Sequence, residues 1–162
     1  MAKTTGSSAS ERLELEKFLP YRLNVLAEVV SQSLSRLYES RFGIAIPEWR
    51  IVATLGQYRR MTAKEIGAHS HMHKTKVSRA VAALEAKGLL ARTPNDEDMR
   101  EAFLQLTPRG EDVYKALAPD ALAFSDALLD ALDADEKAAL EIILTRLTDR
   151  SIALAENFIK SD

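Results

Sequence analysis

The stretch from Thr62 to Gly88 leaves the chain little freedom in what it can build. Thr62-Ala-Lys-Glu65 has the pattern of a capping box, in which the threonine oxygen and the glutamate satisfy each other's orphan backbone N–H groups. It opens a short helix with Ile66 facing inward and Gly67 near its end. A few residues on, Val77, Val81 and Leu84 recur at i, i+4 and i+7, which predicts a second helix from Lys74 to Ala86. Gly88 follows as its C-terminal cap, where a left-handed backbone costs glycine least. Two helices joined by so few residues, the second rich in Lys, Thr, Ser and Arg, read as a helix-turn-helix.

The flanks extend this unit in both directions. Pro20 suits the first position of a long helix, since its missing N–H costs nothing there. Leu19, Leu23, Leu26, Val30, Leu34 and Leu37 give that helix one apolar stripe, ending near Arg41 because Gly43 supplies a break. Pro47 begins another helix, carrying Trp49, Ile51, Val52 and Leu55 towards Gly56. After Gly88 the character changes: Leu89–Thr93 and Ala102–Thr107 are strand candidates around a polar tip, with Phe103 and Gln105 on one face and Leu104 and Leu106 on the other. That is a wing. Thr107 and Pro108 then open a helix that Pro119 is expected to kink or split. Asp133-Ala-Asp-Glu136 opens a last one, carrying Leu140, Ile143, Leu144 and Leu147. The fold class is therefore mainly α with a small β-hairpin wing.

Charge is unevenly distributed. From Arg59 to Arg92 there are eight basic residues against two acidic ones, in a chain whose net charge is −2. A basic island in an acidic protein is the footprint expected where a polyanion docks. The sequence contains no cysteine, which excludes disulfides, thiol sensing, cysteine nucleophiles and Cys-based zinc sites. No apolar run approaches the roughly 18 residues of a membrane span. The polar start of the chain lacks a secretory signal, so residues 1–17 read as a flexible lead-in and the protein as cytoplasmic.

With this order of parts the chain resembles the MarR family of winged helix-turn-helix transcription regulators. The resemblance runs from about Phe18 to Phe158. It is carried by Lys74-Thr-Lys-Val-Ser-Arg79 followed by Leu84-x-x-x-Gly88-Leu89, and by Asp98-x-Arg100-x-x-x-Leu104-x-Leu106-Thr107-x-x-Gly110. It implies a homodimer in which residues 18–45 and 108–162 form dimerisation helices and residues 46–107 read double-stranded DNA. It also implies a pseudo-palindromic operator, repression as the outcome, and no cofactor or enzymatic activity. Lys74, Thr75, Lys76, Ser78 and Arg79 would face DNA. Arg79 would be suited to a guanine edge, and Thr75, Ser78 and the lysines to phosphates. In the wing, Arg100 would enter the minor groove with Asp98 orienting it. Two features depart from the family pattern. The tip Asn95-Asp96-Glu97-Asp98 is acidic, with Met99 where a second arginine is common, and His73 stands at a helix cap usually given to Asp, Ser or Thr.

Family members commonly release DNA on binding small aromatic acids or related compounds. Here Arg22, Tyr38, Phe42 and Trp49 are the candidate ligand residues, and an aromatic carboxylate or its CoA thioester is the implied effector. Two other readings stand beside this one. His69, His71 and His73 lie within five residues and could hold a metal or sense pH, imidazole being a frequent ligand that titrates near neutrality. Spacing by two suits a strand better than a tight turn, however, and neither Cys, Asp nor Glu stands close by to complete a shell. The remaining alternative is a winged module used for protein contact. A metallohydrolase finds no support, because Lys74-Thr75 follows the histidines where Asp-His would be needed.

Overall fold

The computed structural model describes residues 12–96 and 98–159, arranged as two compact units that divide between Leu117 and Ala118. The expectation of a flexible lead-in over residues 1–17 falls largely on residues 1–11, which lie outside the described part. Among the described residues no helix is long and apolar enough to cross a membrane.

The first unit begins with α1 (Leu19–Phe42) and α2 (Ile46–Tyr58). Pro20 sits in the first turn of α1, and Gly43 ends that helix in the left-handed region at φ 60°, its N–H donating to the Glu39 carbonyl at 2.9 Å. Of the apolar stripe predicted for α1, the early part (Leu19, Leu23, Leu26) is exposed; burial is complete only at Ser35 and Tyr38. Tyr38 stacks on Trp49 of α2, ring centroids 5.5 Å apart. Gly56 does not end α2, as its sequence position suggested. The helix runs on to Tyr58, and a Cβ at Gly56 would collide with the ring of Tyr114. Arg59 makes the stop instead, at φ 67°, a backbone strain of about 1–3 kcal/mol for a residue with a side chain.

Then follow β1 (Arg60–Thr62), α3 (Ala63–Ser70), α4 (Lys74–Ala86), β2 (Leu90–Pro94) and β3 (Ala102–Leu106). The wing is a three-stranded antiparallel sheet in the order β1-β3-β2. Arg60 pairs with Gln105 and Thr62 with Phe103, while Leu90 pairs with Leu106 and Thr93 with Phe103. Leu104 and Leu106 face the core as their alternation predicts. Sequence reading missed β1, because three residues are too few to show a period. The core gathers Ile51, Val52 and Leu55 of α2, Ile66 of α3, Val77, Val81 and Leu84 of α4, and Leu104 of β3.

α5 (Pro108–Leu129) is one helix with Pro119 inside it, so the proline does not split it. Its first turns belong to the first unit. Gly110 lies so close to the Leu89 carbonyl that no Cβ would fit, and Thr107 ties the two together, its N–H donating to Leu89 O (3.1 Å) and its hydroxyl to Gly88 O (2.7 Å). The Leu106-Thr107-x-x-Gly110 pattern thus joins the wing to α5. The second unit holds the rest of α5 and α6 (Ala134–Ile159), opened by a reciprocal cap between Asp133 and Glu136. Among its described residues none is buried.

Candidate nucleic-acid interface

The close approach of α3 and α4 starts at Gly67, where a Cβ would lie 3.3 Å from the Met72 carbonyl and 3.6 Å from Val77 Cγ2. His71 ends α3 in the left-handed region at φ 51°, and Met72 turns inward, 7% exposed. His73 then caps α4 with its own ring: Nδ1 accepts the N–H of Thr75 at 3.3 Å, the task a Ser or Asp oxygen usually performs. An unusual cap residue in the sequence is a working cap in the structure.

From that start α4 divides cleanly. Val77, Ala80, Val81 and Leu84 are buried, and Lys74, Thr75, Lys76, Ser78 and Arg79 are exposed on the opposite side. The five residues predicted to read DNA therefore share one solvent face, and their exposure costs the core nothing. A cavity of about 580 Å³ between this helix and the wing is lined by Lys64, Lys74, Ser78, Arg92, Arg100 and Glu101, with Met72 and Val77 among its apolar residues. The excess of cations over the single carboxylate suits a phosphate strand.

In the wing, Asp98 and Arg100 meet as predicted. Asp98 Oδ1 accepts from the Arg100 backbone N–H (3.0 Å) and Nε (3.1 Å), and this contact holds the Asp98 carboxyl below the usual carboxylate range. Arg100 nonetheless keeps its side chain 90% exposed. Met99 beside it is 95% exposed. Arg92 is less free than its sequence position suggests, because Glu85 chelates it through two bonds of 2.7 and 3.0 Å. That hydrogen bonding strengthens the guanidinium's hold on its proton. Arg60 lies over the Phe103 ring at 3.8 Å, a cation–π contact on the outer face of the sheet.

The histidines do not come together as ligands. His69 packs edge-on against Tyr58 at 4.9 Å, His71 occupies the left-handed turn, and His73 caps α4. Among the described residues no group of three His, Asp or Glu side chains could hold a metal. A tight turn splays side chains that a strand would align, which is why the metal alternative at His69, His71 and His73 is not supported.

Of the four ligand candidates, two meet. Tyr38 and Trp49 stack, with Phe42 half-buried one turn beyond Tyr38. Arg22 is exposed sixteen positions earlier on the same helix, about 24 Å away. Sequence reasoning missed the cation that is present: Arg50, whose guanidinium donates to Ser31 Oγ at 3.3 Å across the α1–α2 contact. Burial, with the Glu39 charge, pushes the Tyr38 phenol up to about 12, and Arg50 partly offsets this. Arg50 adjoins Trp49 in sequence, but only the crossing of the two helices shows which residue of α1 it meets.

Comparison with known proteins agrees with this architecture. Residues 44–102 match the family model described as MarR family. The HTH-type transcriptional regulator YwoH of Bacillus subtilis is 28% identical over 125 residues, covering 76% of this chain and 90% of YwoH. A MarR/EmrR family regulator from Acinetobacter sp. ADP1 superposes with a TM-score of 0.80 at 27% identity, over 87% of this chain and 99% of that one. Two more distant structures share the fold. A mutant E. coli MarR complexed with operator DNA has a TM-score of 0.67 at 24% identity, over 80% of this chain and 95% of that one. NadR in complex with 4-hydroxyphenylacetate has a TM-score of 0.69 at 20% identity, over 85% and 94% respectively. The helix-turn-helix and the wing thus lie in the part of the chain that matches the MarR family model, and over most of its length the chain is similar to MarR-family transcription regulators.

Proposed function

We propose that the protein is a cytoplasmic, ligand-responsive repressor that binds a pseudo-palindromic operator as a homodimer and is released by a small aromatic acid or its CoA thioester. The observation that carries the DNA reading is the exposed face of α4, where Lys74, Thr75, Lys76, Ser78 and Arg79 stand together over a buried apolar face. In this reading Arg79 contacts a base edge, the other four hold phosphates, and Arg100, steadied by Asp98, reaches the minor groove.

The homodimer is supported by apolar surface that this chain leaves uncovered. Leu19, Leu26 and Val29 of α1 and Ile142, Ile143 and Ile152 of α6 are all exposed. Apolar surface on that scale marks an interface. Helices within residues 18–45 and 108–162 thus dimerise, and residues 46–107 form the reading module. Two such modules would engage half-sites about one helical turn apart.

Effector release is supported by Tyr38, Trp49 and Arg50: a guanidinium whose charge acts on the phenol of a stacked aromatic pair suits an aromatic carboxylate. The 4-hydroxyphenylacetate bound by NadR is a molecule of that kind. A ligand there releases DNA only if it binds the DNA-incompetent state more tightly. In vitro selection from random duplexes tests the whole reading. Enrichment of a near-palindrome, bound by two chains and lost on titration with 4-hydroxyphenylacetate or a hydroxycinnamoyl-CoA, is the expected result. Enrichment of no duplex would reject it.

A further inference from the structure

Three helix ends meet at one ammonium group. Lys87, the residue that closes α4, donates from Nζ to the Gly43 carbonyl at the end of α1 (2.7 Å) and to Glu48 Oε2 in the first turn of α2 (2.5 Å). The same Glu48 oxygen accepts the Ala45 N–H at 3.1 Å, holding the start of α2. Glu48 is only 7% exposed, so its charge is taken from water and answered mainly by Lys87. The C-terminus of α4 is thereby fastened to the joint between α1 and α2.

We infer that Lys87 is a positioning residue for DNA reading, acting through α4 without touching DNA. The residues that face DNA lie at the opposite end of the helix, Lys74 through Arg79. Thirteen steps of helix span about 20 Å, so a tilt of about 3° at Lys87 moves Lys74 by about 1 Å. A hydrogen bond to a base edge tolerates roughly half of that. The apolar contacts of Val77, Val81 and Leu84 press α4 onto the core but are non-directional, and so resist rocking less than directed bonds do. The Lys87 bonds supply direction. This inference rests on the operator reading above.

The test compares the full chain with Lys87→Met and with the double variant Glu48→Gln/Lys87→Met, which removes the stranded carboxylate. Each is titrated with the selected operator and with a random duplex of equal length at several salt concentrations, alongside thermal unfolding. Both variants should lose about tenfold in operator affinity, the scale of a misaligned base contact. Random-duplex affinity and the salt slope should stay within a factor of two of the parent. The melting temperature should fall in Lys87→Met and recover in the double variant. Operator affinity that recovers together with the melting temperature would reduce Lys87 to a purely structural role and overturn the inference. So would equal losses on both duplexes with a shallower slope, which would make Lys87 a phosphate contact, or unchanged operator affinity. A parent chain that does not distinguish operator from random duplex would instead reject the operator reading, and this inference with it.

Discussion

Lys76 on α4 and Arg92 on the wing carry the same charge, yet the structure predicts opposite consequences for their removal. Lys76 is exposed on α4 and has no ion-pair partner among the described residues, so its charge is available to a phosphate. Arg92 is chelated by Glu85, and the pair brings no net charge to the interface. Each phosphate neutralised contributes about 0.9 to the slope of log affinity against log salt, and the proposed homodimer would carry every substitution twice, so Lys76→Gln should flatten the slope by about 1.8. Between 50 and 200 mM salt the variant should then lose roughly tenfold less affinity than the parent. The neutral double replacement Glu85→Gln/Arg92→Gln should leave the slope unchanged. Fluorescence anisotropy on a labelled operator measures both. An unaltered slope in Lys76→Gln would refute the placement of that lysine on DNA. A slope flattened by about 1.8 in the double variant would mean that Arg92 leaves Glu85 for a phosphate on binding.

Three further outcomes are expected. Gly110→Ala pushes a methyl group into the Leu89 carbonyl and should destabilise the chain by roughly 2–3 kcal/mol in urea unfolding; a change under about 0.5 kcal/mol would show that wing and α5 separate freely. Tyr38 keeps its proton to about 12 in the folded chain, against 10.0 when unfolded, so the unfolded state releases it first and stability should decline as pH rises through that window. Tyr38→Phe should remove that part of the decline, and an identical alkaline unfolding profile would count against a buried phenol. Met99→Arg restores a cation at the wing tip and should steepen the salt slope by up to about 1.8; no change would mean that the tip stays clear of DNA.

The winged core was legible where local rules and tertiary packing agree. The Thr62–Glu65 cap, the i, i+4, i+7 spacing of α4 and the alternation of Leu104 and Leu106 each state a geometry that the core then uses. Readings failed where a residue's role lies in a distant partner. Gly56 looked like a helix end, but it makes room for Tyr114, 58 positions on. Arg22 was grouped with Tyr38 and Trp49 because it carries charge on the helix that holds Tyr38, but it lies far along α1 from that pair, and the cation at the crossing of α1 and α2 is Arg50. Lys87 and Glu48 are 39 positions apart and carry no shared pattern. The exposed leucines of α1 show the other side of this: their period announces an apolar stripe but not whether this chain buries it.

Thr62 holds three positions at once: last residue of β1, register partner of Phe103, and N-cap of α3 through its 3.2 Å bond from the Glu65 N–H. A lineage adapting to a new operator cannot rotate the wing without also disturbing α3, the first helix of the helix-turn-helix. Divergence is channelled onto positions with no such double duty, the outward residues of α4 and the wing tip around Met99. Those are the places where libraries aimed at changing operator preference should be built, and where duplicated genes encoding such chains should differ first.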